Sequence, residues 1–386
     1  MSMPRQIGDT NSPCVWLLKL DNSMQTVNLS EQEKSMLILR LFFDRGIPLS
    51  LVFITMMTAT QVLDSPVAQG EAKQETSLEK LRGTIKPDQL PGQGLTMHYS
   101  GEAYVLSTDH QGKYLALTDP PSVIDLAKRK QMALEKPEEI LGTIHWITLS
   151  PAGDLAVSGL HRGTALGPEV CIWETKTGKL LPARWEGHSA ASYGVFTRDG
   201  KMFIHHNFDG NIYVRDTVRW EVKDRYRAIG GLFCFLDISA DDRYLVASCF
   251  GGAVYVFDLK TKKVVNEKFG PIGEGGISAI SPDGELIANW NRPYGGLVCL
   301  RSRTDAVVKK ILSPKTSGYQ MKFSPDGRWL AISGRGGVTI WDVKNMREHL
   351  WLKCDPSDDW AAACFARETN DMYLAVRGRI YRLSYR

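Results

Sequence analysis

The chain has 386 residues, of which 43% are apolar and 23% charged, and a formal net charge of +4. This is enough apolar material for one large domain or two ordinary ones, and the small, dispersed excess of Lys and Arg does not suggest a nucleic-acid footprint. The seven cysteines (Cys14, Cys171, Cys234, Cys249, Cys299, Cys354 and Cys364) contain no C-x-x-C pair, so zinc-ribbon and thioredoxin-like chemistry has no support, and their odd count at irregular spacing argues against a disulfide framework. Most lie in apolar strand patterns, where a free Cys packs as a small hydrophobe.

Residues 1–46 read as an N-terminal extension and 47–72 as a signal peptide or membrane anchor. Ile47 to Leu63 carries no charge, with Arg40 and Arg45 before it and Asp64, Glu71 and Glu75 after it. That asymmetry keeps the N-terminal side in the cytoplasm. Ala68 with Gly70, or Gly70 with Ala72, offers the small residues that cleavage needs. Three readings stay open. One is a cleaved export signal, with Met36 as a later start because 46 residues precede the apolar core. The second is an uncleaved anchor, against which the polar Thr55, Thr58, Thr60 and Gln61 and the shortness of the run weigh. The third is a buried or amphipathic helix packed on the domain. Export to the periplasm or cell surface is the expectation, and a cytoplasmic location the alternative if 47–63 is not a signal. Residues 73–94, polar and holding Pro87 and Pro91, read as a linker that could also supply a ring-closing strand.

From about residue 95 the chain repeats itself. A turn of the S-P-D-G type begins at Thr108, Ser150, Thr197, Ser239, Ser281 and Ser324, with a degenerate copy at Ala366, giving spacings of 42, 47, 42, 42, 43 and 42. The copy from Met321 to Val343 shows the grammar. A short apolar strand enters Ser324-Pro325-Asp326-Gly327, a second strand follows, Gly336-Gly337 turns the chain, and Val338 to Val343 forms a third strand. A period near 42 over seven copies predicts an all-β, seven-bladed β-propeller of four-stranded antiparallel blades over residues 95–386. The last copy ends on its third strand. Leu81 to Leu90 or Leu95 to Tyr99 could supply the fourth, with Pro87 tolerable only at an edge.

The repeats resemble the WD40 family. The resemblance rests on Trp341-Asp342, Trp173-Glu174 and Phe257-Asp258 at the ends of third strands, and on Gly187-His188 before a first strand. It implies structural roles for Trp173, His188, Asp258, Trp341 and Asp342. One true Trp-Asp and one Gly-His mean that the family's hydrogen-bonded tetrad cannot be assembled in most blades.

In the family, the face holding the loops between second and third strands, together with the inter-blade linkers, is commonly the binding face. Here it carries the inserted loop Gly159 to Glu169 with His161 and Arg162, and the loop Asn289 to Gly296 with Trp290, Arg292 and Tyr294. Linkers add His188, Tyr193, Asp358, Asp359 and Trp360. Trp, Tyr and Arg are the types enriched at binding hot spots, although Trp290 and Trp360 could equally plug gaps between blades. The chain contains no G-x-S-x-G, H-E-x-x-H or P-loop. His205 and His206 are adjacent in a strand, where their side chains point to opposite faces, so no metal is expected there. The expectation is a non-catalytic scaffold, monomeric and without cofactor, that binds an unidentified protein or peptide, with no nucleic-acid partner and membrane contact only through an N-terminal anchor. The alternative is a hydrolase or lyase acting on a saccharide or peptide at the channel mouth, with Asp359 and His161 or His188 as its acid–base groups. A third reading is a small molecule held in an apolar central pocket.

Overall fold

The computed structural model describes residues 6–7, 15–20 and 23–27. From residue 77 onward it describes all but 88–89, 91–96, 99–101, 137–143, 145, 160–169, 183–192, 207–209, 228–232, 250–252, 266–276, 292–296, 305–307, 313–314, 317 and 355–359. The chain divides into two units, Met1–Gln61 and Val62–Arg386. In the first, the strands Gln6–Ile7, Val15–Leu20 and Ser23–Val27 form a three-stranded antiparallel sheet. The apolar run 47–63 lies outside the described residues. Among the described residues no helix is long and apolar enough to cross a membrane.

The second unit is a seven-bladed β-propeller. Each blade is a meander whose strands run outward from the axis. Blade 1 comprises Glu102–Thr108, Tyr114–Asp119, Ser122–Asp125 and Lys130–Ala133. Blade 2 has three strands, Thr148–Leu149, Leu155–Gly159 and Val170–Glu174, with a bridge from Trp173 to Leu180 where a fourth would lie. Blades 3, 4 and 5 are four-stranded and begin at the inner strands Tyr193–Phe196, Phe233–Ile238 and Ser278–Ile280. Blade 6 runs through Gln320–Phe323, Trp329–Gly334, Gly337–Asp342 and Arg347–Lys353, and blade 7 through Ala361–Phe365, Asp371–Val376 and Arg379–Ser384. Every inner strand touches the inner strand of the next blade, and the seventh touches the first, so the ring is closed.

Both candidate closing segments are used, on different blades. Met97–His98 pairs antiparallel with Arg379 and Ile380 as the fourth strand of blade 7. Gly83–Ile85 pairs parallel with Leu350 to Leu352 as a fifth strand of blade 6, which leaves Pro87 just beyond an outer edge. Leu78, fully buried, and Leu81 and Leu90 join the core between blades 6 and 7. Residues 77–87 and Leu90 are thus part of the domain as well as the approach to it.

The core is distributed between blades rather than central. Side chains alternate along each strand, and both faces are covered by neighbouring blades, so successive residues enter different clusters. In blade 6, Leu330 and Ile332 pack toward blade 5 while Trp329 and Ala331 pack toward blade 7. Each of the seven blade–blade interfaces has its own cluster of this kind. Cys171, Cys249, Cys299, Cys354 and Cys364 are free thiols buried among them.

Two turn motifs repeat. In the turn between first and second strands, the Ser or Thr hydroxyl accepts the amide five residues on: Leu155, Met202, Tyr244, Leu286 and Trp329 donate over 2.8–3.1 Å. In blade 1 that role falls to Asp109, whose carboxylate accepts the amide of Tyr114 at 2.7 Å, while Thr108 bonds the Tyr114 carbonyl. The equivalent of Ser150 is therefore Asp109, one residue later than the sequence alignment places it. In the turn between third and fourth strands, the terminal acid caps the amide three residues on, as Asp125, Asp216, Asp258 and Asp342 do. The residue after that amide, Arg129, Trp220, Lys262 or Met346, is left-handed.

Candidate functional site

In a meander, the turns after the first and third strands of a blade fall at one end, and the second-to-third turns and inter-blade linkers at the other. The two ends are called here the turn face and the linker face. The axial channel between them is lined by the inner strands.

The linker-face end is aromatic. Tyr193, at the start of blade 3, meets Trp146 at 5.5 Å and Phe235 of blade 4 at 5.1 Å, both rings tilted against it. Tyr319, ahead of the blade 6 inner strand, meets Trp360 edge-on at 5.2 Å. The guanidinium of Arg335, in the second-to-third turn of blade 6, lies 5.5 Å from the Trp360 ring, and a β-bridge joins the two residues. Trp360, Tyr319 and Arg335 are all half-buried, exposing edges to solvent. Burial raises the Tyr193 phenol, and Lys322 only partly opposes it. Burial likewise pushes the Tyr319 phenol up to about 12, and Tyr193 adds to this. The two phenols, from blades 3 and 6, lie within electrostatic reach of each other.

The middle of the channel is an ion pair. Lys322 of blade 6 reaches Asp237 of blade 4 at 2.6 Å, and the same carboxylate accepts the Ile280 amide of blade 5 at 3.1 Å. Burial acts to lower the Lys322 pKa, but Asp237 and Tyr193 together turn the net shift upward. The axis is therefore polar at this level, unlike the apolar central pocket that a small-molecule reading requires. A second cross-blade link lies nearby. The side-chain amide of Gln320 donates to the Leu106 carbonyl at 2.8 Å and accepts the Leu106 amide at 3.2 Å, joining blade 6 to blade 1.

The turn-face mouth is set by the second residue of each first-to-second turn: His110, Pro151, Arg198, Ala240, Pro282, Pro325 and Arg367 in blade order. These turns lock together. The His110 amide donates to Pro151 O at 3.1 Å, Ala240 to Pro282 O at 2.9 Å, and Glu368 to His110 O at 2.8 Å. The Arg198 amide instead donates to both carboxylate oxygens of Asp242, each at 2.9 Å. Asp242 has φ 58°, in a position where glycine stands in the turns ending at Gly112, Gly153, Gly200, Gly284 and Gly327. Burial raises the Asp242 pKa, opposed by the Arg198 amide and then by the Arg367 charge. Burial, with help from Arg367 and Arg198, drives the His110 imidazole down to about 4. Burial also lowers Arg367, which lies within electrostatic reach of Asp237, Arg198 and Asp242.

Of the residues expected on the binding face, Tyr193 opens the inner strand of blade 3 and Trp360 directly precedes that of blade 7, both at the linker end. Trp290 is only 7% exposed and its ring closes over the backbone of Gly318, which makes it a core residue of the interface between blades 5 and 6. His161, Arg162, Arg292, Tyr294 and Asp359, and the signature residue His188, lie outside the described residues. Trp173 is fully buried and donates from Nε1 to Glu135 O at 2.8 Å, Trp341 is buried, and Asp258 and Asp342 cap turns. His205 and His206 are both buried in blade 3, the first accepting from Arg215 Nε at 2.9 Å. No group of three or more His, Cys, Asp or Glu suited to a metal occurs among the described residues.

Sequence reasoning missed Tyr319, Arg335, Asp237, Lys322, Arg198 and Arg367. A signal existed for most of them. Asp237 and Lys322 are lone charges in otherwise apolar inner strands, and Arg198 and Arg367 stand where three copies have proline. Comparison with known protein families and with curated proteins returns no match.

Proposed function

We propose that this chain is a non-catalytic interaction scaffold on a WD40-like propeller, presenting its linker face to a protein or peptide. The observation that carries this reading is the half-buried cluster of Trp360, Tyr319 and Arg335 beside the axis. These are the residue types that dominate binding hot spots, and a rigid ring holds them in place. The axial carboxylates support binding over acid–base chemistry, because Asp237 is engaged by Lys322 and Ile280, and Asp242 by the Arg198 amide. The acid–base groups that an enzyme reading names, Asp359, His161 and His188, lie outside the described residues.

The test is affinity capture with the full chain and with Trp360→Ala and Arg335→Ala, each checked for unchanged circular dichroism. Loss of the same partner in both variants supports the linker face, and unchanged recovery in both sinks it. We further propose export, supported by the uncharged run 47–63 with arginines before it and acids after it. N-terminal sequencing of the mature protein reads this directly, and a mature chain that retains residues 47–63 overturns cleavage.

A further inference from the structure

We propose that the turn-face mouth of the axial channel is a second binding site, which holds a small oxyanion, a carboxylate or a phosphate, between the guanidinium groups of Arg198 and Arg367. The site lies at the opposite end of the channel from the linker face and stands whether or not that face binds a partner.

The first ground is position. One residue per blade rims this mouth, and in three blades it is proline. Blades 3 and 7 place arginine there, and blade 1, next to blade 7 in the closed ring, places His110. The backbone beneath is fixed by the turn-to-turn bonds of His110, Ala240 and Glu368 and by the clamp of Asp242 on the Arg198 amide. The cations are thus carried on a rigid collar, as a pre-organised anion site requires.

The second ground is missing compensation. Among the described residues, no carboxylate lies within 4.0 Å of either guanidinium. Arg367 is half-buried, and Asp237 and Asp242, which attract it without touching it, do not offset the cost of burying its charge. The nearby acids are already engaged. Asp237 is held by Lys322 and Asp242 by the Arg198 amide. Asp199, Asp241, Asp283 and Asp326 each accept the hydroxyl of their own turn, over 2.5–2.8 Å, and the amide two residues on. Among the described residues, then, no carboxylate pairs directly with Arg198 or Arg367, and a bound oxyanion would supply that partner.

The third ground is convergence. The turn-to-turn bonds link blades 7, 1 and 2 and blades 3, 4 and 5 around one mouth, and Arg367 lies within electrostatic reach of Arg198, Asp242 and Asp237, as His110 does of both arginines. The planar fork of arginine fits the paired oxygens of carboxylate and phosphate.

The experiment is isothermal titration calorimetry of the full chain with inorganic phosphate and, separately, with succinate, at constant ionic strength. Wild type is compared with Arg198→Gln and Arg367→Gln. The expected result is saturable binding of one or both probes with a Kd of roughly millimolar or tighter, weakened about tenfold or more in each variant. Binding of phosphate alone or succinate alone supports the site and identifies the ligand chemistry. No saturable heat with either probe, or binding unchanged in the variants, overturns it. Arg198 is exposed and its replacement leaves the core intact, so Arg198→Gln decides the matter if Arg367→Gln fails to fold.

Discussion

Lys322 and Asp237 meet at 2.6 Å although a whole blade separates their strands. The pair bridges over the inner strand of blade 5 and ties blade 6 to blade 4, so it resists opening of the ring. Lys322 keeps 29% and Asp237 12% of its side-chain surface exposed, so water from the channel softens the interaction without removing it. Lys322→Met strands a nearly buried carboxylate whose remaining partner is the Ile280 amide, and is expected to cost about 1–3 kcal/mol. The double variant Lys322→Met with Asp237→Asn removes both charges and should recover much of that loss. Urea-denaturation midpoints of the three proteins check it, and a double variant no better than the single one refutes the coupling.

His110 makes the stability depend on mild acid. Its folded-state pKa is depressed from 6.5 to about 4. Between those values the unfolded chain binds a proton that the folded chain refuses. This contribution is therefore fully present above pH 6.5 and falls as the pH drops toward 4. The half-exposed ring limits the loss to about 1–2 kcal/mol. His110→Gln should lose less stability than wild type between pH 7 and pH 5, read as the difference in melting temperature. An identical pH dependence in both proteins would show that His110 does not titrate in this way.

Ring closure depends on the segment before the first repeat. Met97–His98 completes blade 7, Gly83–Ile85 covers the edge of blade 6, and the Trp329 indole donates to Tyr385 O at 2.8 Å where the two blades meet. His349 Nε2 lies 2.9 Å from Leu78 O, tying the incoming chain to blade 6. A chain beginning at residue 73 should retain the thermal stability of the full protein. A chain beginning at residue 101 exposes two sheet edges and the cavity left by Leu78, Leu81 and Leu90, and is expected to aggregate or melt well below it. Size-exclusion profiles and melting curves separate the two, and equal behaviour would place closure elsewhere.

The ring itself was legible because the turn chemistry repeats. Ser281 and Ser324 bond the same atoms in successive blades, and that recurrence is what a period of 42–43 records. The offset in blade 1 was not legible, since Thr108 and Asp109 both fit a turn and only the bond from the Tyr114 amide to Asp109 separates them. Closure was half legible. Both candidate segments pair, but a parallel strand added to blade 6 leaves no periodic trace. The axial site was hidden for a different reason. Asp237, Lys322, Arg198 and Arg367 are scattered over blades 3, 4, 6 and 7, and only closure of the ring brings them together. Arg198 and Arg367 take the turn position that Pro151, Pro282 and Pro325 hold in other blades, and a single departure of that kind has no meaning until the ring sets these positions around one mouth.

Trp290 takes the second of its two expected roles, filling the gap between blades 5 and 6. A Cβ on Gly318 would lie 2.2 Å from its indole ring, so the glycine exists to let the ring pass between blades 5 and 6. Gly318→Ala must push that ring aside and is expected to cost about 1–3 kcal/mol. Trp290→Ala empties a core site and should cost about 3–5 kcal/mol. Trp360→Ala, at a half-buried position, should cost clearly less than Trp290→Ala. The prediction is therefore a split. Trp290→Ala lowers the denaturation midpoint strongly, whereas Trp360→Ala leaves most of the stability and alters partner capture. A Trp290→Ala protein as stable as wild type would return that ring to the list of binding residues and remove the reason for excluding it.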